Sequence, residues 1–292
     1  MKKILVTGGS GFIGSHFIEE VLENNLKVLN IDLVKINFDN IVTEKSLLKK
    51  YNFKKCDIRN YKKLSSIIST FKPDYIVNFA AETHVDRSII DADNFITSNI
   101  IGVYNILNYL KKTKNPIRFI QVSTDEVFGS LEKNQAKFNE KSAYNPKNPY
   151  SASKAAADHL VKSYVNTYKL DCIVTNCSNN YGPRQYPEKL IPLVILSCLA
   201  KKKIPVYGEG KNIRDWIHVK DHCKGIYSAI LNGMTGESYL LGGNNEISNI
   251  NIVKGICKIM NKIVDKKFNY NSLIKFVKDR PGHDFRYAID SK

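Results

Sequence analysis

Two acidic residues and a tyrosine–lysine pair are the side chains of this sequence best suited to chemistry. Asp125 and Glu126 follow Thr124, and Tyr150 precedes Lys154 by one helical turn. That spacing puts the phenol and the ammonium group on one face of a helix. The lysine charge can lower the tyrosine pKa from its usual value of about 10 and so create a base that works near neutral pH. Adjacent carboxyl groups add acid and base steps at a neighbouring carbon, so together these residues predict an oxidation coupled to an elimination.

A glycine-rich turn near the N-terminus predicts a dinucleotide site. Gly8, Gly11 and Gly14 follow the apolar run 4–7 and open a helical pattern. Glycines at such a turn let the backbone approach a pyrophosphate, which sits on the helix N-terminus. Asp32 ends the second predicted strand, where a carboxylate binds a ribose 2′-hydroxyl and repels a 2′-phosphate. The pattern therefore predicts NAD rather than NADP.

Composition and charge exclude several classes of protein. The 292 residues contain no apolar run near the roughly 20 residues that span a bilayer, and the N-terminal apolar stretch is too short for a signal peptide. We therefore expect a cytoplasmic protein without a membrane partner. The net charge of +16 comes mainly from dispersed lysines, without a basic stripe interleaved with aromatic residues, so we expect no nucleic-acid partner. The 6 cysteines form no Cys-x-x-Cys pair, which predicts reduced, mostly buried thiols and no metal site.

The elements that must position these residues alternate between strands and helices. Apolar runs predict strands, and amphipathic patterns predict helices, the two longest at 94–112 and 150–168. This alternation predicts an α/β fold, a Rossmann-type doubly wound parallel sheet that binds ligands at the carboxyl ends of its strands. Prolines punctuate the chain after residue 181, which predicts a smaller C-terminal lobe, although 238–241 has the pattern of a strand that returns to the sheet. We therefore divide the chain at residue 180.

Several segments together resemble the extended short-chain dehydrogenase/reductase family and, within it, the dTDP-glucose 4,6-dehydratases. The resemblance covers nearly the whole chain, and its most specific segments are 7–14, 80–88, 122–129, 148–154, 178–192, 213–216 and 279–284. It implies NAD-dependent dehydration of a nucleoside-diphosphate glucose, dTDP-glucose before UDP-glucose, to the 4-keto-6-deoxy sugar. The implied steps are oxidation at C4, loss of water across C5–C6 and return of the hydride to C6. The family pattern is weak over 35–50 and continues for one or two helices past the last residue of this sequence.

The resemblance also implies a role for each catalytic residue. Tyr150 would take the proton from the sugar 4-hydroxyl, and Thr124 would hold the 4-oxygen. Lys154 would bind the nicotinamide ribose and lower the Tyr150 pKa. Glu126 would remove the C5 proton, and Asp125 would protonate the leaving 6-hydroxyl.

Binding residues are implied in the same way. An NAD-binding Rossmann domain at 1–180 would carry the catalytic residues and a cofactor site lined by Gly8, Gly11, Phe12, Ile13, Gly14, Asp32, Asp57, Ile58, Ala80, Ala81, Thr83, Tyr150, Lys154 and Asn180. The lobe at 181–292 would mainly bind the nucleotide sugar, and the implied substrate residues are Thr83, Thr124, Asn179, Lys189, Leu190, Pro205, Val206, Tyr207, Arg214, Asn249, Arg280 and His283. A homodimer through the two long helices is implied as well.

Three alternative functions share parts of this pattern. Nucleotide-sugar 4-epimerases and UDP-glucuronate decarboxylases use the same NAD site and tyrosine–lysine pair, and both begin with oxidation at C4. Neither needs an acid pair after Thr124, so Asp125 and Glu126 favour the dehydratase. A non-catalytic NAD-binding protein of the same fold is the third alternative, and the intact Tyr150 and Lys154 argue against it.

Overall fold

A parallel β-sheet forms the centre of the molecule. The computed structural model describes residues 1–42, 44–279 and 281–291. Within them the strands are β1 (Lys3–Thr7), β2 (Lys27–Asp32), β3 (Tyr51–Lys55), β4 (Tyr75–Asn78), β5 (Arg118–Thr124), β6 (Cys172–Cys177), β7 (Asn179–Tyr181), β8 (Ile204–Tyr207), β9 (Ile213–His218), β10 (Ser238–Leu241), β11 (Glu246–Ser248) and β12 (Ile274–Val277). In this part of the chain 7 strands pair in the order β10-β6-β5-β4-β1-β2-β3, and every neighbouring pair is parallel. The central strands are apolar and buried on both faces, as parallel sheets require.

Helices cover both faces of this sheet. In chain order they are α1 (Phe12–Glu23), α2 (Tyr61–Phe71), α3 (Val85–Ile90), α4 (Asp93–Phe95), α5 (Gly102–Lys112), α6 (Pro149–Tyr168), α7 (Leu190–Leu199), α8 (Val219–Asn232) and α9 (Asn249–Ile263). One core lies between the sheet and α1 and α8, and the other lies between the sheet and α2, α5 and α6. The predicted doubly wound sheet is therefore confirmed.

Helix α6 begins where its sequence contains strong start signals. Asn148 accepts a hydrogen bond from the backbone N–H of Ser151 at 2.9 Å, and the Ser151 side chain lies within 3.3 Å of the Asn148 backbone N–H. Pro149 occupies the first turn, where its missing N–H costs nothing. These caps fix the start of α6 and therefore the position of Tyr150.

The predicted helix at 94–112 is present but not uniform. It begins at α4 and ends with α5, and Ile96–Ile101 between them is a π-helix. The π segment turns Asn99 into the protein, where its side chain is 1% exposed and fully hydrogen-bonded. Sequence periodicity does not reveal such a bulge, and π segments often occur near functional sites.

A smaller lobe lies beside the sheet. It contains a three-stranded sheet in the order β11-β9-β7 and a two-stranded parallel sheet of β12 and β8. Helices α7 and α9 enclose its separate apolar core. Helix α8, in contrast, packs on the large sheet, and β10 is an edge strand of it, so part of the chain after residue 180 belongs structurally to the first unit. No helix in the described ranges is long and apolar enough to cross a membrane.

Candidate active site

The turn between β1 and α1 has the shape that a dinucleotide pyrophosphate needs. Gly8 has a φ of +67°, and a Cβ there would lie 2.5 Å from the backbone nitrogen of Ala80. A Cβ on Gly14 would lie 2.3 Å from the carbonyl oxygen of Gly8. Gly11 differs, because a Cβ there meets only the Gly8 oxygen at 3.2 Å and no side chain caps the helix. The first turn of α1 therefore lacks a side-chain cap, which leaves its N-terminus available for a phosphate.

The carboxylate of Asp32 lies beside this turn. It accepts hydrogen bonds from the backbone N–H groups of Ser10 at 3.0 Å, Leu33 at 2.7 Å and Val34 at 3.2 Å. These bonds fix the carboxylate at the end of β2, next to the glycine turn. The position fits a group that binds a ribose hydroxyl.

The loop after β4 is held by Asn99 of the π-helix. The Asn99 side chain accepts from the backbone N–H of Glu82 at 2.9 Å and donates to its carbonyl at 3.0 Å. It also donates to Ser153 of α6 at 2.9 Å. Ala80, Ala81 and the exposed Thr83 flank this clamp, so Asn99 sets the position of predicted ligand residues relative to α6. Sequence analysis did not identify Asn99.

Three further predicted cofactor residues differ in their surroundings. The Arg59 guanidinium binds the Asp57 carboxylate at 2.7 Å and lowers its pKa. The side chain of Ile58 lies in the apolar core and would touch a Cβ on Gly102, so it presents only its backbone to a ligand. Asn180 accepts a hydrogen bond from Nδ1 of His222 at 2.9 Å, and burial lowers the His222 pKa to about 3. His222 is therefore neutral and holds the Asn180 side chain in one orientation.

The catalytic candidates meet at the carboxyl end of β5. Thr124 ends this strand, and its hydroxyl accepts from the Glu126 N–H at 3.3 Å and lies 3.4 Å from Asp125. Tyr150 of α6 is 8% exposed, and Lys154, one turn further on, is 5% exposed. Thr124, Asp125 and Glu126 all act on the pKa of the Tyr150 phenol, so the structure brings the four side chains together.

Burial gives Asp125 the properties of an acid. Its side chain is 2% exposed, and desolvation raises its pKa well above the usual range. The negative charge of Glu126 raises the pKa further, while the positive charge of Arg214 opposes the shift. Asp125 therefore retains its proton at a pH where an exposed carboxyl group has lost it.

The structure corrects the predicted effect of Lys154 on Tyr150. Burial and the charge of Glu126 raise the pKa of Tyr150 well above its usual value, opposite to the predicted lowering. Lys154 Nζ donates to the carbonyl of Val122 at 2.6 Å, and burial lowers its own pKa. In this arrangement desolvation dominates both groups, and the Lys154 ammonium points to the sheet rather than to the phenol.

Arg214 closes the other side of the site. It is 4% exposed, donates to the carbonyl oxygen of Asp284 at 2.9 Å and lies 4.2 Å from the ring of Tyr287. Its charge also acts on Asp125, which places the guanidinium at the acid pair. The C-terminal segment 281–291 therefore covers Arg214, and Tyr287, which sequence analysis did not assign, forms part of the site wall.

The remaining predicted substrate residues lie in or beside the small lobe. Tyr207 packs edge-on against His283, whose Nδ1 is 2.6 Å from Asp279. Val206 lies inside the apolar core of the lobe, so only its backbone can contact a ligand. The others are found at β7, at the start of α7, in β8 and at the start of α9, and they are Asn179, Lys189, Leu190, Pro205 and Asn249. Arg280 lies outside the described residues.

A buried polar cluster behind the catalytic residues was also missed. The carboxylate of Asp158 accepts hydrogen bonds from Ser123 at 2.6 Å, Tyr144 at 3.2 Å and Asn176 at 3.4 Å. Asn176 also donates to the carbonyl of Thr124 at 3.1 Å. The spacing of Asp158, one turn after Lys154, is the one signal in the sequence that could have found it.

The cysteines are free and buried, as predicted, and the described residues contain no group of metal-binding side chains.

Comparisons with known proteins show which family the chain resembles. The model of a family described as GDP-mannose 4,6 dehydratase matches residues 5–292. A probable dTDP-glucose 4,6-dehydratase of Sinorhizobium fredii is 45% identical over 99% of this chain and 85% of its own length. The dTDP-glucose 4,6-dehydratase of Bacillus anthracis, solved in complex with NAD, is 43% identical with a TM-score of 0.85, over 100% of this chain and 88% of that one. The enzyme of the same name from Streptomyces venezuelae, solved with NAD and TYD bound, is 36% identical with a TM-score of 0.87, over 99% and 88%.

Proposed function

This chain belongs to the family described as GDP-mannose 4,6 dehydratase, and from its similarity to dTDP-glucose 4,6-dehydratases we propose that it is a hydro-lyase. It dehydrates dTDP-glucose to the 4-keto-6-deoxy sugar with NAD as cofactor. The observation that carries the proposal is the acid pair. Asp125 is buried and retains its proton beside Glu126, at the carboxyl end of the strand that also presents Thr124. An oxidation at C4 alone needs no such pair, whereas an elimination across C5–C6 needs both an acid and a base.

The first step belongs to Tyr150 and Thr124. When bound, NAD supplies a hydride acceptor for C4 and returns the hydride to C6. Tyr150 accepts the proton of the 4-hydroxyl, and the Thr124 hydroxyl holds the 4-oxygen. The raised pKa of the phenol means that Tyr150 needs a positive charge near it during this step, and Lys154, one turn away on α6, must turn from the Val122 carbonyl to supply it.

The second step belongs to the acid pair. The 4-ketone makes the C5 proton acidic, and the carboxylate of Glu126 removes it. Asp125 gives its proton to the departing 6-hydroxyl, which leaves as water. When the hydride returns to C6, C5 takes up a proton, which completes the 4-keto-6-deoxy sugar. Both residues lie on one 3₁₀ turn, Asp125–Phe128, so their separation is set by the backbone rather than by flexible loops.

The binding residues complete the proposal. The glycine turn and Asp32 hold the cofactor, since the open N-terminus of α1 fits a pyrophosphate and the carboxylate fits a ribose hydroxyl. Arg214 suits the diphosphate, because a guanidinium fork matches phosphate oxygens. Its guanidinium donates to the carbonyls of Asp284 and Phe285, so the C-terminal segment holds it at the site.

The mass of the product tests this function directly. Purified protein is incubated with dTDP-glucose and, separately, with UDP-glucose. Loss of one water without accumulation of reduced cofactor supports the dehydratase, and the faster substrate identifies the base. An unchanged mass with inversion at C4, detected by NMR, would instead support an epimerase. The Tyr150→Phe variant, which lacks the proton acceptor, is the matched control and should give no product.

We further propose a homodimer through the two long helices. Ile96, Ile101 and Tyr104 on the first helix and Tyr168 at the end of α6 are large apolar side chains that are at least 40% exposed. Such side chains on neighbouring helices support a docking face for a second copy. Light scattering should give twice the mass of the chain for the wild-type protein and the mass of one chain for an Ile101→Glu variant. A monomeric wild type would contradict the proposal.

A cytoplasmic location also stays a proposal, supported by the unpaired buried thiols.

A further inference from the structure

Asp158 is a fully buried carboxylate for which the proposed mechanism has no role. It lies on α6 one turn after Lys154 and is 0% exposed. Its Oδ2 accepts all three hydrogen bonds of the cluster behind the site, from Ser123, Tyr144 and Asn176. Its Oδ1 is buried and has no hydrogen-bond partner among the described residues. A carboxylate is expensive to bury, so its place beside the catalytic helix needs a reason.

The nearby Lys154 can explain why a carboxylate is buried here, because its side chain is also buried and lies on the same face of α6. Its Nζ carries three donors, and the described structure gives it the Val122 carbonyl at 2.6 Å as a partner. Removing an ammonium group from water disfavours its charge, and burial does lower the pKa of Lys154. The charge of Asp158 opposes this effect and is the largest influence that favours the charged lysine.

Several groups around the pair bear on the charge of Asp158. Burial raises the pKa of Asp158, whereas the charge of Lys154 and the hydrogen bonds from Ser123, Tyr144 and Asn176 lower it. Cys177 of β6 faces Lys154, and burial raises its pKa to about 12, so the thiol is neutral. Tyr144, from the loop before α6, faces Asp158, and burial raises its pKa as well. Burial also raises the pKa of Asp125, at the end of β5, and that of Tyr150, which favours the neutral form of each.

We propose that Asp158 is a positioning residue that keeps Lys154 charged for the oxidation step. Ser123, Tyr144 and Asn176 fix the Asp158 carboxylate and favour its charged form. That charge acts on the Lys154 ammonium group one turn away on the same helix face. The inference rests on the proposed function, because it assigns Asp158 to the chemistry of Lys154 and Tyr150. The hydrogen bonds explain how a carboxylate survives at this depth, and the lysine explains why one is present.

The Asp158→Asn variant tests this by removing the charge and keeping the shape. The readout is the titration of the Lys154 Nζ resonance by ¹⁵N NMR, assigned by its loss in a Lys154→Met variant. We expect the Lys154 pKa to fall by about one unit or more, since an opposite charge nearby shifts a pKa by one to three units. The alkaline limb of the single-turnover rate of cofactor reduction should move to lower pH by the same amount. Identical titrations in wild type and variant would overturn the proposal.

Two further measurements separate the possible failures. Ser123→Ala removes one hydrogen bond to Asp158 but no charge, so it should leave the Lys154 titration within about 0.3 units of wild type, well below the expected shift. If Asp158→Asn does not fold, ¹³C NMR of the wild-type Asp158 carboxyl decides, and a protonated carboxyl at pH 7.5 would overturn the proposal. The NMR titrations do not require turnover. An inactive wild type with a coupled Lys154 and Asp158 would therefore count against the dehydratase and not against the pair.

Discussion

Asp125 and Glu126 are neighbours in the chain, yet the fold gives Asp125 a setting of its own. The Asp125 side chain is 2% exposed and lies between Glu126, Arg214 and the Tyr150 phenol. Desolvation and the charge of Glu126 favour its protonated form, and the charge of Arg214 limits that effect. An acid beside a base, both within reach of one tyrosine, is what distinguishes this site from one that only oxidises C4.

The Asp125→Asn variant should therefore separate the two halves of the reaction. The amide cannot donate a proton to the leaving hydroxyl, so kcat should fall by about 10²- to 10⁴-fold. Oxidation at C4 does not need this proton, so reduced cofactor should accumulate in a single turnover, measured by its absorbance. Tyr150→Phe is the control and should abolish both signals. A kcat for Asp125→Asn within tenfold of wild type would remove Asp125 from the mechanism.

The same substitution should stabilise the folded protein at neutral pH. A carboxyl group whose pKa is raised on folding binds more protons in the folded state, so it costs stability as the pH rises above its unfolded pKa of about 3.9. The asparagine carries no such cost, and the gain in the free energy of unfolding should be about 1.4 kcal/mol for each unit of the raised pKa. Urea unfolding at pH 7 and pH 3 measures it. The gain should vanish at pH 3, and a variant less stable than wild type at pH 7 would contradict the expectation.

At the scale of elements, the sequence predicts what depends on local patterns. The strands were predictable because they are short apolar runs that end in polar residues, and α6 because Asn148 and Pro149 mark its start. The π-helix at Ile96–Ile101 was not, because a one-residue bulge leaves no periodic signal and exists to turn Asn99 inward. The grouping of the candidate catalytic residues at the end of β5 and the start of α6 was predictable from residue type and spacing. The raised pKa of Tyr150 was not, because desolvation depends on the packing of residues distant in the chain.

The turn between β1 and α1 allows a matched pair of glycine substitutions. Gly14→Ala puts a Cβ 2.3 Å from the Gly8 carbonyl oxygen, a backbone atom that cannot move away, so it should destabilise the protein by about 1–3 kcal/mol. Gly11→Ala meets only one atom, at 3.2 Å, and should change the stability by less than about 0.5 kcal/mol. Its methyl group nevertheless occupies the open N-terminus of α1, so NAD affinity should fall at least about tenfold. Thermal unfolding and calorimetric titration with NAD measure the two effects. Unchanged affinity in Gly11→Ala would exclude pyrophosphate binding at this turn.

At the scale of the whole molecule, the C-terminal segment joins three separate regions. Arg286 forms an isolated β-bridge with Leu131, and its Nε is 2.6 Å from a carboxylate oxygen of Glu246. The same guanidinium donates to the carbonyl of Gln135 at 2.8 Å. The next residue, Tyr287, stacks with Arg214 at the active site. The bond between Arg286 and Glu246 therefore holds the wall of the site in place from outside it.

The Glu246→Gln variant should loosen this wall without reaching the cofactor. It leaves the largely buried Arg286 without its carboxylate, so the protein should lose about 1–3 kcal/mol of stability at pH 7. The Arg286 guanidinium lowers the Glu246 pKa, so this contribution is present above the unfolded pKa of about 4.3 and disappears as the pH falls through the lower folded value. The KM for the nucleotide sugar should rise because Arg214 loses its support, whereas NAD affinity should not change. Lys137→Met removes the outer contact to Glu246 at 3.5 Å and a partly exposed hydrogen bond to Asn244 at 3.2 Å, and should have a much smaller effect on stability and KM. Equal effects of the two substitutions, or a loss of NAD affinity in Glu246→Gln, would show that the C-terminal segment does not support the substrate side of the site.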